Sequence, residues 1–454
     1  MSALPLQGVR IVDLCLFLAG PYATAMLANL GAEVIKIESI QRLDYLRLMG
    51  GYPQPDGYEW SPAFNAVNVD KYGITLNLNH PRGIEILKRL AEVSDVITNN
   101  FSSRVMENWG LSYEALREIN PRIIMLSMPG YGTTGPWRNY VAMGPNVEMF
   151  AGIPTISGYP DGRPMLQGYI ADPFAGLAGA VAVMVALKHR QQTGKGQHID
   201  LSQIEAVTSF MGQPIMDYVM NRRIQPRRGN RHDSSAPHGV YRCKGEDEWV
   251  AIAVSSEEEW ANLCDAMGNP TWAKEHRFSD PLSRYENHDA LDKLIEDWTC
   301  QHDKHEVMRI LQQAGVASAP VLPCSELVSD PHMEQRGFCE EVTHPVTGTQ
   351  RYHGFPVKFS ATPVRIRMPA PTLGQHNYYI LTKVLGMTEE EINQLAEEEI
   401  IGTKPKGWPY LMEGEEEAEK DKKFLVADHG SGVTAALEKQ KGIDAKEGDS
   451  KKDT

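Results

Sequence analysis

The chain has few cysteines and no pair of them at metal-binding spacing. Its six cysteines are scattered among 454 residues, and none forms a CxxC motif. We therefore expect neither a disulfide framework nor a structural zinc site, and we assign no metal ligand. The amino terminus, MSALPLQGVR, also lacks the apolar core of a signal peptide. Both absences predict a protein of the reducing cytoplasm.

Three common catalytic or nucleotide-binding motifs are missing as well. The glycine-rich GYGTTGP at residues 130–136 lacks the GxGxxG spacing of dinucleotide-binding proteins. TGKGQ at residues 193–197 lacks the upstream glycine of a phosphate-binding loop. No GxSxG elbow is present. An NAD-linked oxidoreductase and a serine hydrolase are therefore disfavoured.

An excess of basic charge is also absent. The chain has 45 basic and 59 acidic residues, which gives a formal net charge of −14. This charge disfavours nucleic acids and anionic membranes as partners. The uncharged run between Asp172 and Lys188 has 15 residues, short of the roughly 20 that a membrane span needs. Part of the acidity lies in EGEEEAEKD at residues 413–421, which predicts a solvated polar tail at 411–454.

What the sequence does contain is an alternation of strand and helix patterns. GVRIVDL, AEVIKIE, DVITNN and PRIIMLSMPG have the apolar character of buried strands, and amphipathic stretches such as PRGIEILKRLAEVS separate them. This alternation predicts a doubly wound parallel sheet. From residue 222 a basic, turn-rich stretch leads into the hairpin-like YRCKGEDEWVAIAV and three amphipathic helices. We interpret residues 222–325 as a smaller α/β domain.

One acid, Asp172, precedes a long run of small apolar residues in GYIADPFAGLAGAVAVMVALKHR. Asp is a favoured N-cap and Pro173 suits the first helical position, so the pattern predicts a helix capped by Asp172. A helix N-terminus stabilises a carboxylate by roughly 0.3–1 kcal/mol, which would keep Asp172 ionised and nucleophilic at neutral pH. The small residues allow close approach of a ligand. The residues alone fit a simple cap or a catalytic carboxylate, and they favour the cap.

An ordered set of motifs shifts that balance. The chain carries LQGVRIVDL, AGPYATAMLANLGAEVIKIE, KYGITLNLN, PRIIMLSMPGYGTTGPW, ADPFAGLAGAVAVMVALKHRQQTGKGQHIDLS, RRGN, APVLPCSELVSDP, GFPVKFSATP and APTLGQHN. Together they resemble the class III CoA-transferases, the family of formyl-CoA transferase and carnitine CoA-transferase. The resemblance covers residues 6–401.

The resemblance implies an α/β fold with a Rossmann-like large domain, a smaller α/β domain and a ring-like subunit that interlocks with a second subunit. We accordingly assign residues 1–221 to the first part of the large domain and 326–410 to a return segment that completes it. The partner subunit is a second copy or a related chain. An acyl-CoA donor and a carboxylic acid acceptor are the implied substrates, and no tightly bound cofactor is expected.

The resemblance also implies site residues. Asp172 is the catalytic nucleophile, which forms an aspartyl anhydride and then an aspartyl-CoA thioester. Coenzyme A is expected to contact the loops that follow the first strands, where the sequence departs from the family pattern at Ser39, in NFSSR and at Asn108. The candidate CoA contacts, which include two basic residues that compensate for those departures, are Leu18, Ala19, Leu76, Asn77, Leu78, Asn79, Asn100, Phe101, Ser102, Arg104, Asn108 and Arg138.

Two departures bear on the reaction. The α-methylacyl-CoA racemases of the same family use a histidine where this chain has Met143, and a thioether cannot take up a proton. Leu18 replaces a glutamine of formyl-CoA transferase, so we expect an acceptor larger and more apolar than oxalate: aromatic, branched or dicarboxylic. Leu18, Met143 and His238 are the candidate substrate-pocket residues. A racemase-like isomerase and a CoA-binding subunit of a heteromeric transferase remain alternatives.

Overall fold

The structure is a computed structural model that describes residues 3–50, 56–168 and 170–406. The acidic tail predicted at 411–454 lies outside these residues, as does the end of the predicted return segment at 407–410.

A six-stranded parallel sheet forms the centre of the amino-terminal half. Its strands are β1 (Arg10–Asp13), β2 (Glu33–Glu38), β3 (Lys71–Thr75), β4 (Val96–Asn99), β5 (Ile124–Ser127) and β6 (His198–Asp200). Their order is β3-β2-β1-β4-β5-β6, and in the central register Ile11 pairs with Val34 on one side and Val96 on the other. This is the order of a doubly wound sheet with a switch point between β1 and β4. The predicted α/β class with a Rossmann-like sheet is confirmed.

Helices cover both faces of the sheet. They are α1 (Ala19–Asn29), α2 (Pro62–Val67), α3 (Pro81–Glu92), α4 (Arg104–Asn108), α5 (Tyr113–Ile119), α6 (Gly144–Ala151), α7 (Ile153–Ile156), α8 (Ala171–Thr193), α9 (Gln203–Thr208) and α10 (Gly212–Asn221). Helices α1 and α8 pack against one face and contribute Leu27, Ala175 and Val183 to its core. Helix α3 buries Leu87 and Leu90 against the opposite face. Helix α3 is amphipathic and has one buried face, whereas α1 and α8 are largely apolar on all sides.

A second, antiparallel sheet follows. Its strands are β7 (His238–Arg242), β8 (Trp249–Ala253) and β9 (Ala317–Pro320). Helices α11 (Glu257–Ala266), α12 (Pro281–Glu286), α13 (His288–Thr299) and α14 (Lys304–Gln313) belong to the same part of the chain. A separate core unites them, with Val250, Leu291 and Leu311 fully buried. The expected hairpin and amphipathic helices are present, and the domain boundaries themselves stay a prediction.

The remaining described chain returns to the large sheet. It contains α15 (Cys324–Leu327), α16 (Pro331–Arg336), the hairpin β10 (Cys339–His344) and β11 (Gly348–His353), α17 (Asn377–Tyr379), a π-helical turn (Ile380–Val384) and α18 (Glu389–Glu397). Ile380 and Leu395 join the core beside β3. The Asn377 side chain accepts the N–H of Thr75 at 2.8 Å. These contacts tie the end of the described chain to the carboxyl end of β3.

Helix α8 is the one described helix whose length and composition would suit a membrane span. It has 23 residues, and 44% of its most apolar 18-residue window is buried. Core helices of soluble proteins also meet this criterion. Because α1 packs along α8 in the core of the sheet layer, we interpret it as a core helix.

Candidate active site

Asp172 lies in the first turn of α8. The helix begins at Ala171, its N-cap is Ile170, and no side chain caps it. The prediction that Asp172 is the N-cap is therefore wrong. Proline is tolerated throughout a first turn because N–H groups there have no helical acceptor, so Pro173 did not fix the start of the helix. The Asp172 carboxylate is left unengaged by its own helix.

The carboxylate of Asp172 contacts the start of α6. A β-carbon placed on Gly144, the first residue of α6, would lie 2.7 Å from Oδ2 of Asp172. A larger residue at this position would therefore force the carboxylate to move. Met143 is the N-cap of α6, so the structure brings this predicted pocket residue next to Asp172.

Helix α1 contacts the same part of α8. A β-carbon placed on Gly176 would lie 2.6 Å from the carbonyl oxygen of Ala19, the first residue of α1. Asp172 precedes Gly176 by four residues, and residues at this spacing share a helix face about one turn apart. The start of α1, with Leu18 as its N-cap, therefore lies beside Asp172.

Burial controls the protonation of Asp172. Burial, and after it the negative charge of Glu148, raise the pKa of this carboxyl from 3.8 to about 6. The sequence predicted stabilisation of the ionised form by the helix terminus, and the structure shows a shift in the opposite direction. At neutral pH a carboxyl with this pKa is still largely ionised, so Asp172 remains a competent nucleophile.

The sequence analysis missed Glu148, which is 1% exposed. Its Oε2 accepts the backbone N–H of Gln167 at 2.9 Å and of Gly168 at 3.2 Å. The residue follows Gly144 by four positions, so both lie on one face of α6. A lone acid within the apolar stretch VEMFAG was the available signal.

The predicted CoA contacts gather at one edge of the sheet. Leu18 and Ala19 follow β1, Leu76 and its three successors follow β3, and Asn100 and its two successors follow β4. The strands are parallel, so these segments all lie at their carboxyl ends. The segments after β1 and β4 flank the topological switch point, where such sheets bind nucleotides. This edge is continuous with Asp172 through Ala19.

Two of these predicted contacts already make internal hydrogen bonds. The side chain of Asn100 accepts the N–H of Leu16 at 2.9 Å and donates to its carbonyl at 2.6 Å. The side chain of Asn77 accepts the N–H of Asn79 at 3.1 Å. Both amides therefore shape the loops themselves. The assignment of Asn77, Asn79 and Asn100 to CoA binding stays a prediction.

The basic residues proposed for phosphate pairing differ in their surroundings. Arg138 donates to both oxygens of Glu107, at 3.0 and 3.1 Å, so its charge is neutralised. Arg104 is exposed at the start of α4 and makes no hydrogen bond or ion pair with the described residues. Asn108 is exposed at the end of the same helix. Arg104 is therefore the better of the two cations for a phosphate.

His238 lies apart from this cluster. It lines a cavity of about 420 Å³ whose wall includes neither Asp172, Leu18 nor Met143. The arginines of that wall have carboxylate partners: Arg228 pairs with Asp233, and Arg231 pairs with Asp289 and Asp292. Within one subunit the structure does not join His238 to the other predicted pocket residues.

The described residues offer no metal site, and two of their buried thiols are unreactive. Across 3–50, 56–168 and 170–406, no group of three or more histidines, cysteines and acids could hold a metal ion. Burial raises the thiol pKa of Cys243 and Cys264 to about 11, which keeps both protonated and unreactive. Asp172 combines burial, a raised pKa and contact with the start of α6.

Comparisons with known proteins identify the family of this chain. The family model described as CoA-transferase family III matches residues 6–377. The succinyl-CoA–D-citramalate CoA-transferase of Chloroflexus aurantiacus is 34% identical, with 87% of this chain and 98% of that protein covered. The beta subunit of the succinyl-CoA–L-malate CoA-transferase of the same organism is 33% identical, with 88% and 99% covered.

A solved structure shares the fold. The CAIB/BAIF family protein from Brucella suis has a TM-score of 0.77 and 30% identity, and the match covers 84% of this chain and all of that one. The match of the family model over most of the chain and the full-length relatives lead to one conclusion: the chain belongs to CoA-transferase family III and is a CoA-transferase.

Proposed function

We propose that Asp172 is the nucleophile of this CoA-transferase. Its carboxylate attacks the thioester carbonyl of an acyl-CoA, which gives an aspartyl-acyl anhydride and CoA thiolate. The thiolate then attacks the aspartyl carbonyl, releases the donor acid and leaves an aspartyl-CoA thioester. An incoming acid reverses both steps. The covalent route keeps the acyl group activated throughout.

One observation carries this proposal: the Asp172 carboxylate lies at the start of α6 and α8 without a hydrogen-bond partner in the described chain. The backbone N–H groups of Gly144 and Asp172 likewise donate to no described residue. We assign to these first-turn donors the stabilisation of the oxyanion that forms during attack.

Coenzyme A binds, in this proposal, along the carboxyl edge of the sheet. The loops after β1, β3 and β4 hold it, and exposed Arg104 pairs with a phosphate. Replacement of Arg104 with alanine should weaken CoA binding, and the same replacement of Arg138 should matter less because Glu107 already neutralises it. Equal affinity of the Arg104 variant and the parent protein would discard this role.

For the substrates we propose succinyl-CoA as donor and a dicarboxylic acid as acceptor. Two relatives that match over their full length are named for succinyl-CoA and for L-malate or D-citramalate. An aromatic acid is the second candidate, because an aromatic cluster lies on both sides of Met143 in the chain. In this cluster, exposed Trp137, Tyr140 and Phe150 surround Tyr131.

We further propose that the active enzyme is an interlocked dimer. Helix α8 exposes Leu177, Val181 and Val185 along one stripe, and α10 exposes Val219 and Met220. A group of exposed apolar side chains on neighbouring turns of a helix is typical of a protein interface. A homodimer and a heterodimer with a related chain both fit, and one relative is named as a beta subunit.

The test is an exchange assay with the full-length protein. Succinyl-CoA is supplied with L-malate, D-citramalate or an aromatic acid, and new CoA esters are measured by chromatography. We expect transfer to a dicarboxylic acid, and none by the Asp172→Ala variant. Transfer by that variant at the parent rate would overturn the mechanism, and preference for the aromatic acid would favour the second acceptor class.

A further inference from the structure

Glu148 is a buried acid that the mechanism above does not use. It is 1% exposed within α6, and burial of a charged carboxylate is costly unless something compensates for it. Two backbone N–H groups, from Gln167 and Gly168, donate to its Oε2. These donors lie just ahead of α8, so Glu148 holds the segment that leads to Asp172 against α6.

The Asp172 carboxylate contacts the face of α6 that carries Glu148. Gly144, whose position contacts the Asp172 carboxylate, precedes Glu148 by one turn. Two negative side chains therefore lie close together in a partly buried site. A negative charge near Asp172 disfavours the ionised form of its carboxyl.

Among the described residues, Glu148 supplies the charge that shifts the pKa of Asp172, and it shifts it upward. Helix α1 offers only Tyr22, whose pKa burial raises. Helix α9 offers the exposed Glu205, and the segment before α8 offers Asp161 and Arg163, both exposed. Helix α7, β5 and the first turns of α8 after Asp172 have no ionisable side chain.

The repulsion between Glu148 and Asp172 acts on the free enzyme, before Asp172 forms a covalent bond. In the attack on the thioester, an Asp172 oxygen donates an electron pair to the carbonyl carbon as the C–O bond forms. The C–S bond breaks, and sulfur leaves as thiolate with the bonding pair. The negative charge thus passes from Asp172 to CoA and no proton is consumed. In the anhydride and in the later thioester, Asp172 carries no charge for Glu148 to repel.

We propose that Glu148 is a positioning residue that anchors the segment before α8 and, by its charge, favours the covalent states of Asp172 over the free carboxylate. This inference rests on the proposed nucleophilic role of Asp172. Glu148 would then make two separable contributions. Its Oε2 holds the backbone of Gln167 and Gly168 by hydrogen bonds, and its negative charge destabilises the ionised Asp172 carboxylate.

Two variants separate the contributions. Glu148→Gln keeps an oxygen that accepts the two N–H groups but removes the charge. Glu148→Asp keeps the charge but is one methylene too short for the tether. Glu205→Gln, an exposed glutamate on the adjoining α9, is the matched control. Full-length proteins are incubated with succinyl-CoA over a pH series, and both turnover and the Asp172 adduct are measured by mass spectrometry.

For Glu148→Gln we expect the acidic limb of the pH–rate profile to move down by roughly one unit, and the ratio of covalent to free enzyme to fall roughly tenfold, since one pKa unit equals a tenfold ratio. For Glu148→Asp the limb stays in place while turnover falls. A Glu148→Gln protein with the parent profile and adduct ratio would overturn the inference and leave the proposed function intact. An absent adduct in the parent protein would instead overturn the proposed function.

Discussion

At the scale of single residues, the environment of Asp172 disfavours the ionised form of its carboxyl. Burial and Glu148 raise its pKa from 3.8 to about 6, so the folded protein holds this proton more tightly than the unfolded chain does. The ionised form therefore destabilises the fold. The cost is absent below about pH 4, grows between pH 4 and 6, and is complete above pH 6.

Replacement of Asp172 with asparagine should therefore stabilise the fold while it abolishes transfer. At about pH 7.5 the free energy of unfolding should rise by up to about 3 kcal/mol, from a shift of about two pKa units. At about pH 4 the variant and the parent should unfold alike. Urea titrations at both pH values measure this difference. A pH-independent difference would contradict the raised pKa.

Gly144 offers a test of geometry alone. Alanine there would place a β-carbon 2.7 Å from Oδ2 of Asp172, so the flexible carboxylate must turn away. Displacement of a reacting group by about 1 Å costs roughly a hundredfold in rate, and we expect turnover to fall by that order with unchanged thermal stability.

The matched control is Gly212→Ala. Gly212 is also the first residue of a helix, and a β-carbon there meets nothing within 4 Å. The control should keep the parent turnover. Full turnover in the Gly144→Ala protein would show that the contact seen at α6 does not position the nucleophile.

At the scale of elements, the junction of α1 and α8 holds the site together. Their backbones meet at Gly176 and Ala19, where a β-carbon would lie 2.6 Å from a carbonyl oxygen that has no freedom to turn. This close approach places one end of the proposed CoA-binding edge beside Asp172, the proposed nucleophile. Small residues along both helices allow it.

Gly176→Ala should force α1 and α8 apart. We expect a loss of roughly 1–3 kcal/mol in the free energy of unfolding, as in other overpacked cores, and a fall in turnover because Asp172 moves relative to Leu18. Chemical denaturation and the exchange assay measure the two effects. A variant with parent stability and turnover would contradict the tight junction.

The elements also show how far sequence reasoning reaches. The parallel strands were predictable because runs such as RIVD and EVIKIE are rich in β-branched apolar residues and alternate with helices. The contact of Gly144 with Asp172 was not, because 28 positions separate them and no local pattern encodes a tertiary contact. The N-cap prediction was wrong since Asp favours several first-turn positions, and Glu148 was missed because a lone acid resembles a surface residue.

At the scale of the whole molecule, the exposed apolar side chains of α8 and α10 support the proposed dimer. Leu177, Val181 and Val185 on α8 and Val219 and Met220 on α10 are each more than a third exposed. One subunit therefore leaves a wide apolar surface to water, and a second subunit would cover it.

Interlocked subunits should not exchange. When tagged and untagged dimers are purified separately and mixed overnight, we expect pull-down of the tag to recover no untagged chain. Refolding the mixture from denaturant should produce mixed dimers. Mixed dimers that form without denaturant would contradict interlocking, and a monomer by light scattering would contradict the dimer.

The covalent state of Asp172 during turnover is the most direct test of whether this residue is the nucleophile. Full-length protein is incubated with succinyl-CoA, quenched and digested, and the peptide that contains Asp172 is analysed by mass spectrometry. We expect a succinyl or CoA adduct on the Asp172 carboxyl in the parent protein and none in the Asp172→Asn variant. An active enzyme whose Asp172 peptide never gains mass, or whose adduct lies on another residue, would contradict it.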